Sequence, residues 1–165
     1  MTRVVIQNRQ KAHRVDRKTL RETLVRLMEC VGNDKIALWE SVTVILVDDY
    51  ESGDIHEKTF GDPSPTDVIT LSYRDGISGK LSGELIVNVQ RAAEEGNRRP
   101  AWGFDKELAL YLAHGLDHLT GENDDTPASR RRMRQRELRW LKKVGNTGFN
   151  QVGKQEKKKE KSNRD

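Results

Sequence analysis

Two histidines, His114 and His118, stand four residues apart, and Asp124 follows six residues after the second, past Gly121. On a helix, residues i and i+4 share one face a turn apart, so both imidazoles can address the same ion. Gly121 allows a sharp turn after His118 and returns a carboxylate as a third ligand. Three protein ligands leave one position open for water, which is the catalytic rather than the structural arrangement, and zinc is the expected ion.

The stretch from His114 to Asp124 has the layout of the long zinc-protease motif H-E-x-x-H-x-x-G-x-x-H, with two differences. Gly115 replaces the glutamate, and Asp124 replaces the third histidine. A peptidase of that type uses the glutamate as general base toward zinc-bound water, so Gly115 speaks against peptide hydrolysis. Asp117 is the candidate catalytic residue. It lies three residues after His114 and leans toward the ligand face. Three roles are open to it: acceptor for an imidazole N–H, proton acceptor for the metal-bound water, or a plain exposed helix position.

Around this group the charge is uneven. The chain carries a net +4, yet residues 130–143 hold eight basic residues against one acidic one, and everything before them is acidic on balance. Arg130, Arg131 and Arg134 are therefore candidate nucleic-acid-binding residues, with a solvated helix face as the bland alternative. Contacts from such a face go to phosphates, depend on salt and are largely blind to sequence.

The elements that must hold these residues follow from pattern. Strands are expected at 2–7, 42–47, 66–71 and 83–88, the second being continuous and β-branched. Asp16 can cap a helix running to about Val31, and Asp48 one toward Phe60. Helices are also expected at 90–96, at 104–121 and from Thr126-Pro127 to Val144, and the segment at 74–79 is a turn. Trp102, Phe104 and Trp140 are assigned to the core. The fold class is α+β: one mixed αβ domain, residues 1–144, around a sheet of about four strands that carries the metal-binding helix. Residues 145–165, basic and nearly without apolar side chains, read as a disordered tail. The single cysteine, Cys30, excludes an internal disulfide and a four-cysteine zinc finger. No apolar run approaches a membrane span and no apolar leader opens the chain, so a cytoplasmic protein with no membrane partner is expected.

Taken together, the motifs resemble the YbeY family of bacterial rRNA maturation factors, whose signature reads H-G-x-x-H-L-x-G-x-x-H. Val42 to Asp49 is similar to the family's strand ending in Val-Asp-Asp, and Pro65 to Thr70 to its P-T-D-V-[LI]-[ST] segment. Gly83 to Val87 takes the place of its G-D-I strand, and Met133 and Glu137 fall where its last helix often has those residues. The resemblance covers roughly residues 42–144. It implies a zincin-like fold and a metal-dependent, single-strand-specific endoribonuclease of rRNA maturation and ribosome assembly or quality control. One Zn2+ per chain and no organic cofactor are implied, with rRNA precursors and the ribosome or its proteins as partners. Asp124 looks like an alternative ligand to the family's third histidine. Phe60 stands where an arginine is usual, and His56 where an asparagine is usual. An arginine can hold a phosphate bidentately and a phenylalanine cannot, which makes a non-catalytic, metal-containing assembly factor the alternative reading.

Overall fold

The β-branched runs pair into one mixed sheet. The strands are β1 (Arg3–Asn8), β2 (Trp39–Val47), β3 (Val68–Arg74) and β4 (Leu81–Asn88), in the order β1-β2-β4-β3. β1, β2 and β4 are parallel, and β3 runs antiparallel along β4, so β3 forms one edge. The computed structural model describes residues 1–145 together with Gly148 and Phe149.

Six helices among the described residues surround the sheet: α1 (Arg17–Val31), α2 (Asn33–Ile36), α3 (Asp49–Phe60), α4 (Val89–Arg98), α5 (Gly103–Leu119) and α6 (Pro127–Val144). The expected caps are in place. Asp16 accepts from Lys18 N, Asp48 from Glu51 N, and Thr126 and Ser129 form a reciprocal capping box at the start of α6. The one-turn helix α2 lies where the sequence reads as a helix stop.

Alternation along the strands sorts side chains to two faces. Val42, Val44, Leu46, Leu85 and Val87 pack against Leu20, Leu24 and Leu27 of α1 and Leu108, Leu112 and Leu116 of α5. The opposite face carries Ile45, Val47, Ile69 and Ile86, covered by Ile55 of α3. The domain is thus a mixed αβ unit with a four-stranded sheet, as the pattern predicts.

The aromatic assignments need correction. Trp140 is buried and Phe104, half-buried, packs against the core cluster as expected, but Trp102 is half-buried and lies outside it. Trp102, at the margin of the core, donates its indole N–H to the buried Glu107 Oε2 at 2.7 Å. Phe104 stacks on the His13 ring there, with centroids 5.9 Å apart. The core instead takes Trp39 and Phe149. Phe149 lies within the segment read as tail, yet it is fully buried and its carbonyl accepts from Asp16 N at 2.8 Å. The remainder of that expectation, residues 146, 147 and 150–165, lies outside the described residues. Among the described residues, no helix is long and apolar enough to cross a membrane.

Candidate metal centre

α5 is apolar almost all round and lies buried between the sheet, α1 and α6. Its close seat depends on glycine. A Cβ on Gly115 would meet Leu85 Cδ2 at 2.9 Å and Val68 Cγ2 at 3.2 Å, and one on Gly83 would meet Leu119 Cδ2 at 2.7 Å. The position that carries the protease glutamate is therefore pressed onto side chains of β4 and β3.

His114 and His118 lie one turn apart on α5, and His118 shares a cleft wall with Val68. Their rings meet edge to face, 4.4 Å between centroids, with Nε2 3.0 Å from Nε2. After His118 the chain reverses at Gly121, whose φ of 98° is a conformation that favours glycine. The turn returns Asp124, whose Oδ2 lies 3.5 Å from His118 Nε2 and 3.9 Å from His114 Nε2. His114, His118 and Asp124 each offer a ligand atom within 4.8 Å of the others, so the group could hold a metal ion.

The donor chemistry supports that fit. His114 Nδ1 lies 2.9 Å from Glu137 Oε2, and His118 Nδ1 lies 3.1 Å from the Glu122 carbonyl. A carboxylate and a carbonyl can only accept, so both protons sit on Nδ1. The two Nε2 atoms then face each other, where a shared proton or a metal ion can lie between them. Two nitrogens on a tetrahedral zinc lie about 3.3 Å apart, for Zn–N distances of about 2.0–2.1 Å. Only a small adjustment from 3.0 Å is needed.

Glu137, on α6, is fully buried and is the residue that orients His114. Burial works against a charged His114 imidazole, but the bonded Glu137 carboxylate outweighs it and raises the His114 pKa. The sequence ranks Glu137 only as a point of family similarity. Its role comes from contact across 23 residues of chain. Glu137→Gln is expected to lower metal affinity about 10- to 100-fold, measured by competition with a chelating dye, because the ligand loses its anionic support.

Asp117 is 1% exposed, so it is not an exposed helix position. Its oxygens accept from Arg136 of α6, Nε to Oδ1 at 3.0 Å and Nη2 to Oδ2 at 3.1 Å. The Arg136 Nη2 also lies 3.4 Å from Glu122 Oε2. Burial pushes the Asp117 carboxyl up to about 6, against the pull of the Arg136 guanidinium and helped by the nearby Glu137. This network joins α5, the ligand turn and α6.

Two clefts flank the group. One, of about 590 Å³, is lined by His114, Asp124 and Asp67 together with Arg130, Arg131 and Arg134. All three arginines named from sequence thus border the same opening as two of the ligands. The other, of about 370 Å³, is lined by His118, the β3 edge, His56 and Phe60. Other motif residues hold the frame. Asp49 Oδ1 accepts from the buried Asn88 Nδ2 at 2.6 Å, and Asp67 Oδ1 accepts from Val68 N at 2.7 Å, where it starts β3.

These features define a single-domain mixed αβ protein whose central helix and following turn present an open metal-ligand group. The helix that orients one ligand also carries the basic wall beside it. Residues 5–145 match the family described as endoribonuclease YbeY, and the chain belongs to the YbeY family. The chain is 29% identical over 150 residues to endoribonuclease YbeY of Syntrophotalea carbinolica, covering 87% of this chain and 97% of that one. It is 28% identical over 137 residues to the endoribonuclease YbeY of Chlamydia trachomatis serovar D, covering 81% and 83%. The solution structure of a Thermotoga maritima protein has the same fold, with a TM-score of 0.54 at 21% identity over 87% of this chain and 89% of that one.

Proposed function

We propose that this chain is a zinc-dependent, single-strand-specific endoribonuclease that acts in the cytoplasm on rRNA precursors, in ribosome assembly or quality control. The observation that carries the reading is the pair of facing Nε2 atoms, with Asp124 beside them, open to a cleft walled by arginines. Family membership supplies the substrate class, because the relatives are named endoribonucleases. The arrangement of a metal helix on a mixed sheet also supports a zincin-like fold.

His114, His118 and Asp124 would hold the ion. When bound, it supplies Lewis acidity toward a phosphate oxygen and brings the pKa of a water toward about 7. Glu137 and the Glu122 carbonyl hold the imidazoles in one tautomer and orientation. Asp117, with both oxygens engaged by Arg136, serves as a positioning residue that locks α6 and the ligand turn against α5. Arg130, Arg131 and Arg134 draw the phosphate backbone to the opening and offset the charge that builds up on the scissile phosphate.

The test is cleavage of single-stranded RNA and of casein by the purified protein, with and without chelator. RNA cleavage that needs metal is expected. Cleavage that survives both chelator and His118→Ala would defeat the reading. Binding without cutting would favour the non-catalytic assembly factor, for which the uncharged Phe60 at the cleft rim speaks. No casein cleavage is expected, since Gly115 supplies no general base.

The basic wall has its own expected result. Arg131→Ala combined with Arg134→Ala should weaken RNA binding uniformly across sequences. It should also reduce the slope of log affinity against log salt by about 1–2, for two lost phosphate contacts at roughly 0.7 each on single strands. Anisotropy titrations at several salt concentrations check it.

A further inference from the structure

The cleft on the His118 side lacks the arginines of its neighbour. Its lining sets the rings of Phe60 and His56 beside Val68 and Ile69 and the hydroxyls of Thr66, Thr70 and Ser72. Phe60 is the last residue of α3, followed by Gly61 in the left-handed conformation that ends the helix. Its side chain is 61% exposed and adds nothing to either apolar cluster. A single exposed phenylalanine is unremarkable by itself. This one shares a cavity wall with a candidate metal ligand.

The ring is also braced. His56 lies one helical turn earlier and meets it edge to face, 5.5 Å between centroids and 63° between planes. His56 Nδ1 lies 2.8 Å from the Ser64 carbonyl, which fixes the imidazole against the loop before β3. An aromatic face beside an open metal group, with arginines lining the neighbouring cleft, suits a ligand that alternates flat rings and anionic groups. Single-stranded RNA is such a ligand. Its bases are unstacked and splay apart, and every base offers a π-face.

We propose that Phe60, braced by His56, is a stacking platform for a nucleobase of single-stranded RNA adjoining the scissile phosphate. The inference rests on the ribonuclease reading and deepens it. The strand crosses the metal group with phosphates toward Arg130, Arg131 and Arg134 and a base against Phe60. The free side of β3, which among the described residues pairs only with β4, offers backbone N–H and C=O groups to the edge of that base. Stacking tolerates any base, so the platform adds affinity without strict sequence preference.

Anisotropy with a fluorescein-labelled short oligoadenylate, and with the same oligomer carrying abasic riboses, tests this. Phe60→Ala and Phe60→Leu are expected to weaken binding of the intact oligomer about 10-fold. Phe60→Trp should hold or tighten it. The salt slope should stay at the wild-type value in all three, because no cation is removed. Wild type should bind the abasic oligomer more weakly, and Phe60→Ala should bind the two oligomers alike. The exposed position keeps the thermal midpoint unchanged, so a folding defect is separable. Wild-type affinity in Phe60→Ala for both oligomers, with binding still lost in the Arg131→Ala, Arg134→Ala variant, would overturn the platform alone. No RNA binding by wild type would overturn the ribonuclease reading and the platform together. Tighter binding of an extended peptide than of oligoadenylate, blocked by Phe60→Ala, would assign the cleft to a protein partner and likewise overturn it.

Discussion

His118→Ala is expected to purify without metal, whereas wild type is expected to hold about one equivalent of zinc or a similar transition metal. The loss follows from geometry. His118 Nε2 is central to the group, 3.0 Å from His114 Nε2 and 3.5 Å from Asp124 Oδ2. Removing it leaves only His114 and Asp124, 3.9 Å apart, to hold an ion. The affinity cost should exceed the roughly 10- to 100-fold of an outer partner such as Glu137. Metal-dependent RNA cleavage should vanish with the metal, and zinc should no longer raise the thermal midpoint, since that rise requires binding to the folded state. Asp124→His should keep its metal, because an imidazole on the same turn is also a zinc ligand. Acidification should release metal from wild type, as ligand nitrogens must be deprotonated to bind. Glu137 raises the His114 pKa, so a proton competes there at higher pH than on an ordinary imidazole. Elemental analysis of protein purified without added metal is the measurement. Wild-type metal content in both His114→Ala and His118→Ala would remove the site assignment.

Phe149→Ala should be among the most destabilising single changes in the chain, at about 3–5 kcal/mol. Phe149 is fully buried and packs in the same cluster as Leu20, Leu24, Trp140 and Val144. Its truncation opens a ring-sized cavity between α1 and α6, while its carbonyl still accepts from Asp16 N at the start of α1. For a domain of this size the loss corresponds to a drop of roughly 10 °C in thermal midpoint. The same contact decides where a tail deletion may begin. Removal from residue 148 takes Phe149 away and should cost as much as the point change. Removal from residue 150 takes away Val152 as its only large aliphatic side chain and should leave the midpoint close to that of the full chain. Equal midpoints for the two deletions would show that Phe149 contributes nothing to stability. Calorimetry or circular dichroism on the three variants checks this.

Local order of residues was enough to read the ligand group and most of the frame. An i,i+4 pair on a helix and a glycine turn depend on neighbours within about ten residues, and so do caps at Asp16, Asp48 and Thr126. β-Branched runs announced four strands for the same reason, though not their order or the reversal of β3. What tertiary structure decided involves partners far apart in the chain. Asp117 and Glu137 both look like helix carboxylates in one dimension. Only the packing of α6 on α5 assigns Glu137 to His114 and gives Asp117 to Arg136. Trp102 and Phe149 exchanged their expected places. Trp102 pairs with Glu107 at the rim of the core, whereas Phe149, whose ring has no polar atom to satisfy, is fully buried in it. Gly115 stands for a missing base in the sequence, and in the fold it is the residue that lets α5 lie against Leu85 and Val68. Spacing reports what one helix can present to an ion. Burial and long-range contact settle which side chains orient that helix, and no local pattern records them.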